Sequence, residues 1–140
     1  MPKKPAPAPK RVLIIEDDED VAKMLEVLIR GLKASVLLAD DGMTGLELAR
    51  TESPDLVLVD IHLPGMNGLE VIRGIRATPR LAALPIVVIT GNSTVEYVRE
   101  TVLLGANDFL VKANVLAGDG LDRIRRYLTP SRPAGGRKKS

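Results

Sequence analysis

Asp60 closes an apolar run, Leu56-Val57-Leu58-Val59, and is followed by the turn-forming residues Leu63-Pro64-Gly65. Three other runs end in polar groups able to do chemistry. Residues 11–17, RVLIIED, finish in acids; residues 84–91, LPIVVITG, carry Thr90 near their end; residues 108–111 lead into Lys112. Runs built of Leu, Val and Ile expect burial on both faces, as in a parallel sheet. In open α/β folds the carboxyl edge of such a sheet is where ligands bind. With the first and third strands as neighbours, Glu16, Asp17 and Asp60 would converge. Two unit charges about 4 Å apart interact by roughly 4 kcal/mol at an effective dielectric near 20. Either one carboxyl keeps its proton or a cation sits among them. Oxygen donors without His or Cys suit a hard ion, Mg²⁺ ahead of zinc or copper. Lys112 and the Thr90 hydroxyl approach from the other side. Together they would stabilise an anion arriving on Asp60, and a phosphoryl group on a carboxylate acceptor fits that description.

Each residue alone has an ordinary reading. Asp18 or Asp20 serves as a helix N-cap, Thr90 as a strand residue or cap, Lys112 as a solvated lysine and His62 as an exposed loop residue. The co-occurrence at four strand ends of one sheet is what carries the chemistry.

The elements that position these groups are legible in the spacing. A helix over about residues 19–32 places Val21, Met24, Leu25, Leu28 and Leu32 on one face, with Gly31 and Lys33 at its end. SVLLA (35–39) is a second strand, followed by a helix containing Leu46 and Ala49 and by Ser53-Pro54. The third strand spans 55–59. A helix from Asn67 to about Arg76 carries Leu69, Ile72 and Ile75. A fourth helix, capped by Ser93 or Thr94, bears Val95, Val98 and Val102 and stops at Gly105. Leu121, Ile124 and Leu128 mark the last helix. Five strands alternating with five helices give a doubly wound α/β fold with helices on both faces. The flavodoxin-like (βα)5 arrangement, a five-stranded parallel sheet in order 2-1-3-4-5, is the expected architecture.

Composition bounds the function. The 140 residues are one domain's worth of chain, 45% apolar but only 2% aromatic, so the core is aliphatic. No Cys and a single His exclude disulfides, thiolate metal sites and a His cluster for zinc. No apolar run reaches membrane-spanning length, and nothing resembles a signal peptide, so a cytoplasmic protein is expected. Residues 1–10 form a Pro/Lys arm and 130–140 a basic tail, with residues 11–129 as the folded domain. The two arms hold seven positive charges and no acid, so a net charge of +2 leaves residues 11–129 at −5. An acidic domain argues against a nucleic-acid-binding face.

VLIIEDDED, LVLVDIHLPGMNGLEVIRGIR, PIVVITG and GANDFLVK resemble the receiver domain of two-component response regulators, over about residues 11–128. The resemblance implies that Asp60 is the phosphoacceptor, that Asp17 ligates Mg²⁺ (or Mn²⁺) directly and Glu16 through water, and that the His62 backbone carbonyl is a further ligand. It also implies Thr90 as the switch hydroxyl, Gly91 as the small residue leaving room for phosphate, Lys112 as the phosphate-pairing lysine and Phe109 as the switch aromatic. His62 and Asn92 would flank the attacking water and tune the lifetime of the phosphate. The family's Pro after the lysine is Ala113 here, so a trans peptide and a differently placed loop are expected. The segment ANVLAGDG, residues 113–120, also leaves the start of the last helix open.

The expected function is that of a single-domain response regulator. It would take phosphoryl from a sensor histidine kinase or His phosphotransfer protein and repack the face of helix four, strand five and helix five for a downstream protein target. On this reading the chain is no enzyme beyond assisting its own phosphotransfer and autodephosphorylation. It would have no DNA-binding domain and no membrane partner, and would be a monomer or a weak phosphorylation-dependent dimer. Rival readings fit the residues less well. A haloacid-dehalogenase-type phosphatase wants a second Asp where His62 stands, and a flavodoxin would meet acids where it binds its phosphate.

Overall fold

The computed structural model describes residues 9–91 and 95–129. The aliphatic runs form β1 (Arg11–Ile15), β2 (Ser35–Ala39), β3 (Leu56–Val59), β4 (Ile86–Thr90) and β5 (Asp108–Val111). All pair in parallel, in the order β2-β1-β3-β4-β5. This is the doubly wound sheet that the alternation of elements implies.

Side chains of a strand alternate between faces, and here both faces are apolar. Leu13, Ile15, Val57, Val59, Ile86 and Val88 enter one core, with side chains from α2 (Gly42–Glu52) and α3 (Gly68–Arg76). Val12, Ile14, Leu56, Leu58, Val87 and Ile89 enter the other, with Leu25 and Ile29 of α1 (Glu19–Gly31). β2 lies at the sheet edge, and its Leu38 is exposed. The helices start where polar side chains satisfy the free amides of a first turn. Asp18 accepts from the amides of Asp20 and Val21, so the capping reading of Asp18 holds. Asn67 and Glu70 close a reciprocal capping box on α3.

Two expectations are corrected. The chain after β5 is not a loop leading to one helix: α5 (Lys112–Ala117) begins at the lysine itself, and α6 (Gly120–Leu128) follows. Val115 has somewhere to go, being fully buried in the second core beside Ile124, and burial of that one aliphatic side chain draws the segment onto the sheet. No cis peptide occurs among the described residues, so Lys112–Ala113 is trans, as expected.

The inward face of α4 (Val95–Leu104) also differs from the valine stripe. Val102 is 58% exposed, whereas Thr101 is fully buried. Tyr97 and Leu104 pack on the first core, so the face runs 97-101-104, a helical i, i+4, i+7 spacing. Thr101 tolerates burial because its hydroxyl donates to the Val98 carbonyl at 2.9 Å. Ser93 and Thr94, the expected caps of this helix, lie outside the described residues, as do both basic arms except Pro9 and Lys10. Among the described residues no helix is long and apolar enough to cross a membrane.

Candidate functional site

The sheet ladder runs one residue past β1 and β3, and that extension builds the site. The Asp60 amide donates to the Ile15 carbonyl at 3.0 Å, and the Glu16 amide to the Ala39 carbonyl at 3.0 Å. Glu16 and Asp60 thereby stand at the tips of adjacent strands, only 3% and 6% exposed. With the exposed Asp17 they offer carboxylate oxygens that all lie within 4.8 Å of one another.

A cation from the far side of the sheet meets them. Lys112 Nζ sits 3.0 Å from Glu16 Oε1 and 3.3 Å from Asp60 Oδ2. The remaining oxygens have amide partners. The Asp18 amide donates to Glu16 Oε2 at 3.2 Å, and the His62 amide to Asp60 Oδ1 at 3.3 Å. Burial pushes the Glu16 carboxyl up, and the charge of Asp60 adds to this against the opposing pull of the Asp18 amide and Lys112. For Lys112, burial alone would lower the ammonium, but the hydrogen bond to Glu16 and the charge of Asp60 outweigh it and raise it. An ordinary ion pair would lower the acid as it raises the base. Here one ammonium serves two carboxylates, so the nearly solvent-free Glu16 stays undercompensated.

Thr90 and Gly91 come to the same edge. Thr90 ends β4, fully buried, and is in register with Val111, the residue before Lys112. Gly91 lies beside the lysine stem: a Cβ there would be 3.8 Å from Lys112 Cδ. Phe109 is opposite Val88 and packs, half-buried, on the first core. Asn92 lies outside the described residues.

The loop after β3 is held tightly. The Gly68 amide donates to the Ile61 carbonyl at 2.8 Å, and Ile61 and Leu63 are buried. Gly65 makes its turn at φ 69°. Gly68 is a glycine for want of space: a Cβ would lie 2.3 Å from the Asp60 carbonyl oxygen. Sequence reasoning did not single out Gly68, although its place at the start of a helix, next to a cap, was a usable signal. It also missed Tyr97. His62 is exposed, as expected of a loop residue, but its ring and that of Tyr97 meet in a T-shaped contact at a centroid distance of 5.4 Å and an angle of 88°.

The donor set suits a hard divalent ion. Glu16, Asp17 and Asp60 bring three negative charges against one ammonium, and two of the carboxylates are almost wholly buried. A pair of positive charges would balance them, and the oxygens are the ligands that Mg²⁺ and Mn²⁺ take. A groove of about 600 Å³ opens from Glu16 and Asp17 along α1 towards Leu38 and Asp40. Asp60 is not part of its wall, so the carboxylates rather than the groove define the site.

Comparison with known proteins agrees with this geometry. The family model described as response regulator receiver domain matches residues 12–117. The chain is 37% identical over 103 residues to the DNA-binding response regulator MtrA of Mycobacterium tuberculosis, covering 74% of this chain and 44% of that protein. The BeF3-activated N-terminal receiver domain of RstA from Klebsiella pneumoniae superposes with a TM-score of 0.78 at 28% identity, covering 86% of this chain and all of that one (100%). The receiver domain of a sensor histidine kinase from Pseudomonas aeruginosa, solved with a magnesium ion in its active site cleft, gives 0.74 at 27% identity, covering 86% of this chain and 98% of that one.

These relatives overturn one expectation, that of a stand-alone regulator without a DNA-binding domain. The chain spans about half the length of the curated relatives it matches, which are DNA-binding or transcriptional regulators. The physical reason is that the domain buries two complete cores of its own. Its residues therefore read the same whether or not an output domain accompanies them.

Proposed function

We propose, from the premise that this chain belongs to the response regulator receiver domain family of two-component systems, that it switches by accepting a phosphoryl group on Asp60. The observation that carries this is the set of Glu16, Asp17 and Asp60 oxygens within 4.8 Å, with Lys112 bridging the two buried members.

Asp17, Asp60 and the His62 carbonyl would hold a divalent cation directly and Glu16 would hold it through water; when bound, it would supply neutralising charge for the carboxylates and for an incoming phosphoryl group. The chain's own residues do the rest. The Asp60 oxygen attacks phosphorus in line with the phosphohistidine nitrogen of a histidine kinase or His phosphotransfer protein; the P–O bond forms as the P–N bond breaks. The His62 amide, already on Asp60 Oδ1, keeps the carboxylate oriented. Lys112 exchanges its bond to Asp60 for one to a phosphoryl oxygen. The Thr90 hydroxyl donates to another phosphoryl oxygen, and Gly91 leaves room for the group. Phe109 follows Thr90 inward, and the face of α4, β5 and α5 repacks, a population shift of a bistable element. His62 and Asn92 set how fast water removes the phosphoryl group. The chain is thus a phosphoacceptor assisting its own chemistry rather than an enzyme acting on an outside substrate. The DNA binding named for MtrA is carried over as the output this receiver governs.

Incubation with acetyl phosphate and Mg²⁺, followed by intact mass measurement, tests the proposal. A single phosphoryl adduct is expected, absent in Asp60→Ala and after chelation with EDTA. No adduct on the wild type, or an undiminished one on Asp60→Ala, overturns it.

A further inference from the structure

One ring contact beside the site takes no part in the steps above. β3 and β4 are neighbours, with Val59 opposite Val88. His62 belongs to the loop leaving β3, and Tyr97 to the helix that follows β4. Their rings meet edge to face at 5.4 Å and 88°, the only aromatic pair found among the described residues. The pair therefore joins the loop that follows Asp60 to the start of the helix after β4. Its two ends are anchored differently. Tyr97 is half-buried on the first core, whereas the exposed His62 is tied through its backbone amide to Asp60 Oδ1.

At the opposite end α4 is held by Arg76, whose guanidinium donates to the Gly105 carbonyl at 2.9 and 3.1 Å and to Asn107 at 3.0 Å. Its outward residues Val102 and Leu103 are 58% and 77% exposed and touch little. The ring contact is thus a cross-link between the start of α4 and the loop that carries the acceptor.

We propose that Tyr97 is a positioning residue. It holds the His62 imidazole as a bar across the flank of Asp60, limiting the approach of water and so prolonging the phosphoryl state. The inference rests on the reading of Asp60 as phosphoacceptor and deepens it. An aspartyl phosphate is lost when water attacks phosphorus and the P–O bond to Asp60 breaks, so a side chain that narrows the entry of water slows that step. Edge-to-face aromatic pairs contribute modestly. The bar therefore opens part of the time, and the expected effect of its removal is a few-fold rather than many orders of magnitude.

The test phosphorylates full-length protein with acetyl phosphate and Mg²⁺, removes the donor, and follows adduct decay by intact mass. Wild type is compared with Tyr97→Ala, Tyr97→Phe, His62→Ala and the double alanine variant. Tyr97→Ala should accelerate decay roughly 3- to 10-fold, while Tyr97→Phe, which keeps the ring, stays within about twofold of wild type. In the His62→Ala background, Tyr97→Ala should add nothing. Mg²⁺ affinity should be unchanged in Tyr97→Ala and Tyr97→Phe, which separates positioning from damage to the carboxylate cluster. An adduct whose decay is indifferent to Tyr97, or a Tyr97→Ala effect equal in both backgrounds, overturns this inference alone. A wild type that takes no phosphoryl group overturns the Asp60 reading and this inference with it.

Discussion

Replacing Lys112 by Met keeps most of the aliphatic stem and removes only the charge. In the metal-free protein this strands two carboxylates that are 3% and 6% exposed. Their oxygens lie within 4.8 Å of each other, where two unit charges repel by about 3 kcal/mol at an effective dielectric of 20. Loss of one partner from a buried ion pair costs roughly 3–5 kcal/mol. The lysine side chain is 23% exposed, so water reaches the vacated space and the lower figure, about 3 kcal/mol, is expected. For a domain of this size each kcal/mol moves the melting temperature by roughly 4 °C. Thermal denaturation followed by far-UV circular dichroism, in EDTA at neutral pH, should therefore show Lys112→Met melting roughly 12 °C below wild type. Asp60→Asn should be neutral or stabilising by itself and recover at least half of that loss in the double variant, because one carboxylate then remains. Mg²⁺ should narrow the gap, since carboxylates relieved of the ammonium bind the cation more tightly than those of wild type and so gain more from it. A Lys112→Met protein melting within about 3 °C of wild type in EDTA, or a loss unaffected by Asp60→Asn, would refute the charge balance argued for the site.

Further outcomes follow from single contacts. Gly68→Ala puts a Cβ 2.3 Å from the Asp60 carbonyl oxygen; overpacking of this kind costs about 1–3 kcal/mol, and displacement of the loop should also reduce acetyl-phosphate labelling of Asp60. Because the folded pKa of Glu16 is raised above 4.5, its contribution is full below that value and is lost as pH rises through the folded value. Glu16→Gln should thus gain on wild type, in EDTA, as pH rises from about 4.5 towards 7, and urea titrations across that range would read the widening difference. Asn67→Ala removes one half of the capping box on α3 and should cost about 0.5–2 kcal/mol in a urea titration, with Mg²⁺ affinity retained.

The parallel sheet was legible because its cause is local. Val12 to Ile15, Leu56 to Val59 and Ile86 to Ile89 are apolar at every position, and only a strand covered on both faces buries such a run. The alternation of helices with strands and the hand of their crossovers left few strand orders, of which 2-1-3-4-5 was one. Asp60, Glu16 and Lys112 could be placed at strand tips for the same reason. The inward face of α4 was less legible, since the valines chosen from the spacing were more apolar than Thr101. Packing selected Tyr97, Thr101 and Leu104 instead, and the Thr101 hydroxyl found its acceptor within the helix. The split of α5 from α6 depended on where Val115 could be buried, which no local pattern states.

By itself the sequence determined the fold class and the residue types at the carboxyl edge, since hydrophobic periodicity and caps act over a few neighbouring residues. Tertiary structure decided the partnerships. It buried Glu16 rather than Asp17, joined Lys112 to both Glu16 and Asp60, and set Tyr97 against His62. Those contacts link residues 35 to 96 positions apart in the chain. They exist only because β1, β3, β4 and β5 lie side by side, where burial and charge at one strand tip depend on what its neighbours present.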